Sequence, residues 1–132
     1  MNRRVQIPPN CDLTLGLTCL DKSVPGRTVW SMPAQVQFAN PNNVTQGGFL
    51  AAMADTAMST AAVTFLEGRK AVVVNVEMKI SFTGPARTGT TLTATAQVVK
   101  GGKRVSFVET EIVDADGVMV ARASSTYLYT DL

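Results

Sequence analysis

Gly47-Gly48-Phe49-Leu50-Ala51-Ala52-Met53-Ala54-Asp55-Thr56-Ala57-Met58-Ser59-Thr60-Ala61-Ala62-Val63-Thr64-Phe65-Leu66 decides the fold. Ala, Met and Leu dominate it and proline is absent, so it reads as one long helix. Glu67-Gly68-Arg69-Lys70 supplies the stop, with a glycine C-cap and basic residues for the negative end of the dipole. A surface helix carries one apolar stripe and one charged face. Here Phe49 to Leu66 holds a single ionisable residue, Asp55, so the helix is expected to be buried nearly all round.

Around it the period drops to two. Upstream, alternating segments at 16–23 and 27–38 flank the turn signal Val24-Pro25-Gly26 and read as a hairpin. Residues 1–10 read as an irregular lead-in, and 39–46 as a polar loop. Downstream, strands are expected at 72–82, 90–100, 103–113 and 118–129. The breaks fall at Gly84-Pro85, Gly101-Gly102 and Asp116-Gly117, the last a strong hairpin signal. In the first of these strands Val72, Val74, Val76, Met78, Ile80 and Phe82 would share one face. The order is two strands, a helix, then four strands, an α+β pattern with an antiparallel sheet of about six strands wrapped around one central helix. At 132 residues, one domain over 1–132 is expected.

Composition removes several function classes. Histidine is absent, so a Ser-His-Asp triad, a Cys-His pair, a His-ligated metal and a His general base are excluded. Cys11 and Cys19 are separated by seven intervening residues, which is neither a redox nor a zinc spacing, and no metal site is expected. The start of the chain leads into Pro8-Pro9 without an apolar signal segment, and no run of 18 apolar residues occurs, so a cytoplasmic protein with reduced thiols is expected. A net charge of +2 gives no support to nucleic-acid binding. Only 17% of residues are charged, which suggests surface hidden in an oligomer.

Catalysis is therefore left to carboxylates, amides, hydroxyls, thiols or the backbone. Asp55 must be hydrogen-bonded, paired or raised in pKa if it is buried. Either it sits at an exposed edge or binds a neighbouring Thr or Arg, or it is tuned as a base or nucleophile. Ser59, one turn on, shares its face and is a candidate to orient it or a water. Gly47-Gly48 opens the helix with bare amides at the positive end of the dipole, a geometry suited to a developing oxyanion. Gly47 and Asp55 are eight residues apart, roughly 12 Å along one helix. Both cannot act on one carbonyl within a chain. They can if two chains pair and each helix start faces the other chain's Asp55.

Asn40, six residues before Gln46-Gly47-Gly48, and Asp55, nine after Gln46, resemble the signature of hotdog-fold acyl-CoA thioesterases of the phenylacetate-degradation (PaaI-like) type. That signature runs Asn, five residues, His-Gly-Gly, then a helix with Asp or Glu. Asn75 to Phe82 with Gly84-Pro85-Ala86, and Gly102 to Glu109, extend the resemblance to about residues 14–130. It implies hydrolysis of an aryl- or short/medium-chain acyl-CoA by a homodimer or a dimer of dimers, with coenzyme A as part of the substrate and no separate cofactor. The implied roles are the Gly47 amide on the thioester oxygen, Asn40 polarising the same group, Asp55 of the facing subunit as base or nucleophile, and Asn75 holding the water. Arg87, Lys103 and Arg104 are the implied partners of coenzyme A phosphates. Gln46 stands where the family has His; its amide can donate a hydrogen bond but cannot carry a proton. This substitution supports the alternative of a non-catalytic hotdog module binding an acyl or aryl ligand. A purely structural dimer is a third reading, and Asn40, Gly47 and Asp55 argue against it.

Overall fold

The computed structural model describes residues 6–132. Helix α1 (Asn10–Leu15) is followed by β1 (Thr18–Asp21), β2 (Arg27–Pro33), helix α2 (Gly47–Phe65), β3 (Ala71–Phe82), β4 (Thr91–Gly101), β5 (Val105–Val113) and β6 (Met119–Asp131). The strands form one sheet in the order β1-β2-β4-β5-β6-β3, with every neighbouring pair antiparallel. Helix α2 lies across its inner face, against β2 to β6. The expected α+β architecture is the one observed.

The core follows from alternation. Leu92, Ala94 and Ala96 of β4, Val108 and Ile112 of β5, and Ala123 and Tyr127 of β6 turn inward. They meet Leu50, Met53, Ala54, Ala57, Met58, Ala61 and Ala62 of α2. The many alanines let helix and sheet approach closely. Two polar ties fix the helix on β2: Thr28 Oγ1 donates to the Ala57 carbonyl at 2.7 Å, and Trp30 Nε1 donates to Thr60 Oγ1 at 2.9 Å. The opposite flank of α2 stays open, with Asp55 and Ser59 half-buried and Val63 exposed. Burial all round is therefore not reached in one chain.

Four expectations need correction. Helix α1 begins at Asn10, inside the irregular lead-in expected over 1–10; residues 1–5 of that lead-in lie outside the described residues. The second strand stops at Pro33 rather than Phe38. Proline has no N–H to continue the ladder, and a short 3-10 turn, Val36–Phe38, follows. At the end of α2, Glu67 takes the first left-handed conformation (φ 48°), before Gly68 (φ 92°). Arg69 does not serve the helix dipole: its guanidinium pairs with Asp131 at 2.8 Å and donates to the Lys103 carbonyl at 2.7 Å.

The fourth correction concerns β3. A β-bulge between Asn75 and Glu77 shifts its pairing with β6. Ala71, Val73 and Asn75 face inward before it, and Met78 and Ile80 after it. Val72, Val74 and Val76 therefore face outward and remain exposed, so the six apolar positions do not form one face. One extra residue reverses the phase of every side chain beyond it.

Candidate active site

The loop before α2 is shaped by main-chain bonds. Asn40 N donates to the Val44 carbonyl at 2.8 Å, Thr45 N to Ala86 at 2.8 Å, and Gln46 N to Phe38 at 2.8 Å. Asn43 occupies the left-handed region (φ 61°) at the tip, a conformation asparagine tolerates. Asn40 Oδ1 accepts from the amides of Asn42 (2.9 Å) and Val44 (3.3 Å). These bonds fix the side-chain amide so that Nδ2, with no protein partner among the described residues, is available to a ligand.

Gln46 is the N-cap residue, and its exposed side chain makes no capping bond. The amides of Gly47 and Gly48 have no backbone partner among the described residues. They stand at the positive end of a 19-residue helix. The two glycines differ. A Cβ on Gly47 would lie 2.6 Å from Phe82 Cζ, whereas one on Gly48 would meet nothing closer than Gln46 Oε1 at 3.9 Å. Close packing against Phe82 demands glycine only at the first position.

Two turns along α2, Asp55 is held from the sheet. Asn75 Nδ2 donates to Asp55 Oδ1 at 3.0 Å, and the Tyr127 hydroxyl donates to the same oxygen at 2.8 Å. Asn75 and Tyr127 are direct cross-strand neighbours on β3 and β6. The bulge amide of Glu77 donates to Asn75 Oδ1 at 3.2 Å, which turns Nδ2 toward Asp55. The resemblance implied a water at Asn75; here its amide donates to the carboxylate itself. Burial above all, then the hydrogen bond and charge of Asp55, push the Tyr127 phenol far above its ordinary range, so it remains a donor. The ion pairs among the described residues, Arg27–Asp21 and Arg69–Asp131, leave Asp55 without a cation.

Ser59 Oγ donates to the Thr56 carbonyl at 3.2 Å and makes no bond to Asp55 among the described residues. Arg87 is exposed beside the loop, its strand position bridged to Val44. Lys103 and Arg104, also exposed, follow the Gly101 turn that packs on Phe65 at the far end of α2. Arg87 and the other two cations are therefore not brought together within one chain. Tyr127 was missed by the sequence reading. Its signal was a tyrosine two positions from Ser125 on the inward phase of a strand, where a phenol needs a partner.

Fold and site together define a hotdog thioesterase: a long helix on an antiparallel sheet, open amides at its start and a carboxylate inside it. The Thioesterase superfamily model matches residues 42–121, and the chain belongs to that superfamily, a thioester hydrolase by class. Among relatives, the chain is 30% identical over 118 residues to human acyl-coenzyme A thioesterase 13, covering 89% of this chain and 83% of that one. It is 34% identical over 111 residues to acyl-coenzyme A thioesterase PaaI of Escherichia coli, covering 84% and 76%. The solved E. coli PaaI protein from the phenylacetic acid degradation operon superposes with a TM-score of 0.85 at 30% identity, covering 91% of this chain and 83% of that one. Among the described residues, no helix is long and apolar enough to cross a membrane.

Proposed function

We propose that the protein hydrolyses the thioester of an aryl- or short/medium-chain acyl-CoA in sites shared by two subunits. The observation that carries this reading is Asp55: a carboxylate on an apolar helix, oriented by two neutral donors on one oxygen and paired with no cation among the described residues. A structural carboxylate in such a place is expected to be paired. The names of the relatives support acyl-CoA as the substrate class.

In the proposed reaction the Gly47 amide of one subunit receives the thioester oxygen, with Asn40 Nδ2 and the Gln46 side-chain amide beside it. Asp55 of the other subunit removes a proton from water as the water oxygen attacks the carbonyl carbon. The oxyanion forms against donors already in place, which costs little reorganisation. When the intermediate collapses, the C–S bond breaks and Asp55 returns the proton to the departing thiolate. Direct attack by the carboxylate, forming an anhydride that water then opens, uses the same groups. Arg87 of one subunit with Lys103 and Arg104 of the other are proposed for the coenzyme A phosphates.

Pairing is supported by β3, a 12-residue strand with one unpaired edge in a single chain, and by the open flank of α2 at Asp55, Ser59 and Val63. Exposed Val72, Val74, Phe107 and Leu128 on the outer sheet face support a dimer of dimers. A cytoplasmic location accords with Cys11 and Cys19, both free. A panel of acyl-CoA thioesters with a thiol-trapping dye tests the proposal, and turnover of at least one aryl or short/medium-chain ester is expected. Saturable binding without release of free thiol across the panel would establish the ligand-binding module that Gln46 supports.

A further inference from the structure

Tyr127 is wholly buried, lies 72 residues from Asp55 in the chain, and donates a hydrogen bond to that carboxylate. We propose that Tyr127 is a positioning residue which, with Asn75, commits Asp55 Oδ1 to the protein and leaves Oδ2 as the atom that exchanges the proton. The proposal rests on the reading of Asp55 as the catalytic base.

Both donors converge on Oδ1, and Oδ2 receives no hydrogen bond among the described residues. A carboxylate held by one oxygen keeps a defined plane, so its second oxygen points in a fixed direction. Both donors are neutral. A lysine or arginine in their place would orient the group equally well, but its charge would lower the affinity of the carboxylate for a proton. The bulge of β3 makes the pair possible, because it brings Asn75 opposite Tyr127 while the Glu77 amide locks the Asn75 side chain. Tyr127 also lies 3.2 Å from the Asp55 carbonyl oxygen. Its hydroxyl proton therefore has a second acceptor on the same residue. When Oδ2 gains its proton and the carboxyl loses charge, the phenol can turn to that carbonyl without moving its ring. In balance, the proton leaves water for Oδ2 as the C–O bond forms, and leaves Oδ2 for sulfur as the C–S bond breaks.

Tyr127→Phe deletes only the hydroxyl and tests this on an acyl-CoA the wild type turns over. A fall in kcat of roughly 10- to 100-fold with KM within about twofold is expected, the range for one hydrogen bond to a charged group. In an Asp55→Asn background the same change should cost nothing more, because the carboxylate it serves is gone. Wild-type kcat in Tyr127→Phe, or an equal further loss in both backgrounds, overturns the positioning role and leaves Asp55 as base untouched. Full turnover by Asp55→Asn overturns the base itself. If Tyr127→Phe does not fold, Asn75→Ala removes the other Oδ1 donor from a half-buried position. There the same kcat-only loss, absent in the Asp55→Asn background, supports the arrangement, and unchanged kcat overturns it.

Discussion

At the start of α2, the loop from Asn40 to Gly48 is shaped by its main chain and leaves donors open: Asn40 Nδ2 and the amides of Gly47 and Gly48. Two turns further along the same helix, the surroundings of Asp55 are built from side chains of β3 and β6, and the donors there are engaged. The difference follows the charge each region handles. The Asp55 carboxylate is part of the chain before any substrate binds, so its donors are engaged in the resting protein. In the proposed reaction the oxyanion exists only during turnover, so its donors stay open until then. Helix geometry keeps the two regions roughly 12 Å apart, so under the proposed mechanism each would need a second chain to complete a site.

Removing the carboxylate is expected to have the largest effect. Asp55→Asn keeps shape and should lower kcat by roughly 10²–10⁴-fold. Folding should survive, since a neutral amide is cheaper to bury than a carboxylate. Near-wild-type turnover would remove Asp55 from the mechanism. Mixing this variant with Asn40→Ala chains sharpens the point. Each parent dimer carries one defect in both sites, but the heterodimer gathers both defects into one site and leaves the other intact. Activity should recover to at most about half of wild type per heterodimer. No recovery, with subunit exchange confirmed independently, would place both regions in one chain and break the geometric argument. A stable, active monomer in sedimentation would do the same.

The glycines come next. Gly47→Ala drives a methyl to 2.6 Å from Phe82 Cζ, so either the ring or the helix start must shift. Phe82 is exposed and can give way, so folding should be retained. Misplacement of the amide should cost about 10²-fold in kcat, and pairing with Phe82→Leu should restore part of it. Gly48→Ala meets nothing within 3.9 Å and should leave kcat unchanged. Equal losses at both glycines would mean that the oxyanion amide is not Gly47 in particular.

How much of this was legible in the sequence differs between the two regions for a physical reason. Asn40, Gln46 and Gly47 are local in the chain and are placed by turn and helix-start geometry, which spacing encodes directly. Asp55 was legible as the one ionisable residue in an apolar helix. Tyr127 was not, because its contact depends on the β3–β6 register and on a bulge that alternation alone does not announce. The same bulge misled the reading of the Val72–Phe82 face. Helix α1 was missed because six residues after two prolines carry too little periodicity to separate from a loop.

The smallest expected effect concerns Thr45, two residues before Gly47. Thr45 is 4% exposed, and its hydroxyl is buried with no hydrogen-bond partner among the described residues. It therefore differs from the open amides beside it, which are acceptor-seeking groups of the main chain rather than of a side chain. An orphaned buried hydroxyl costs about 1–3 kcal/mol, whereas an apolar group of the same shape does not. Thr45→Val should consequently leave Tm unchanged or raise it by up to about 5 °C. Its main-chain bond to Ala86 is unaffected by the change, so the loop keeps its form and kcat should stay within about twofold of wild type. Differential scanning calorimetry and a single kinetic assay measure both quantities. A clear fall in Tm would mean that the hydroxyl has a partner in solution, such as a buried water. A fall in kcat at unchanged Tm would add Thr45 to the donors that wait for the oxyanion, extending the open half of the site by one side chain.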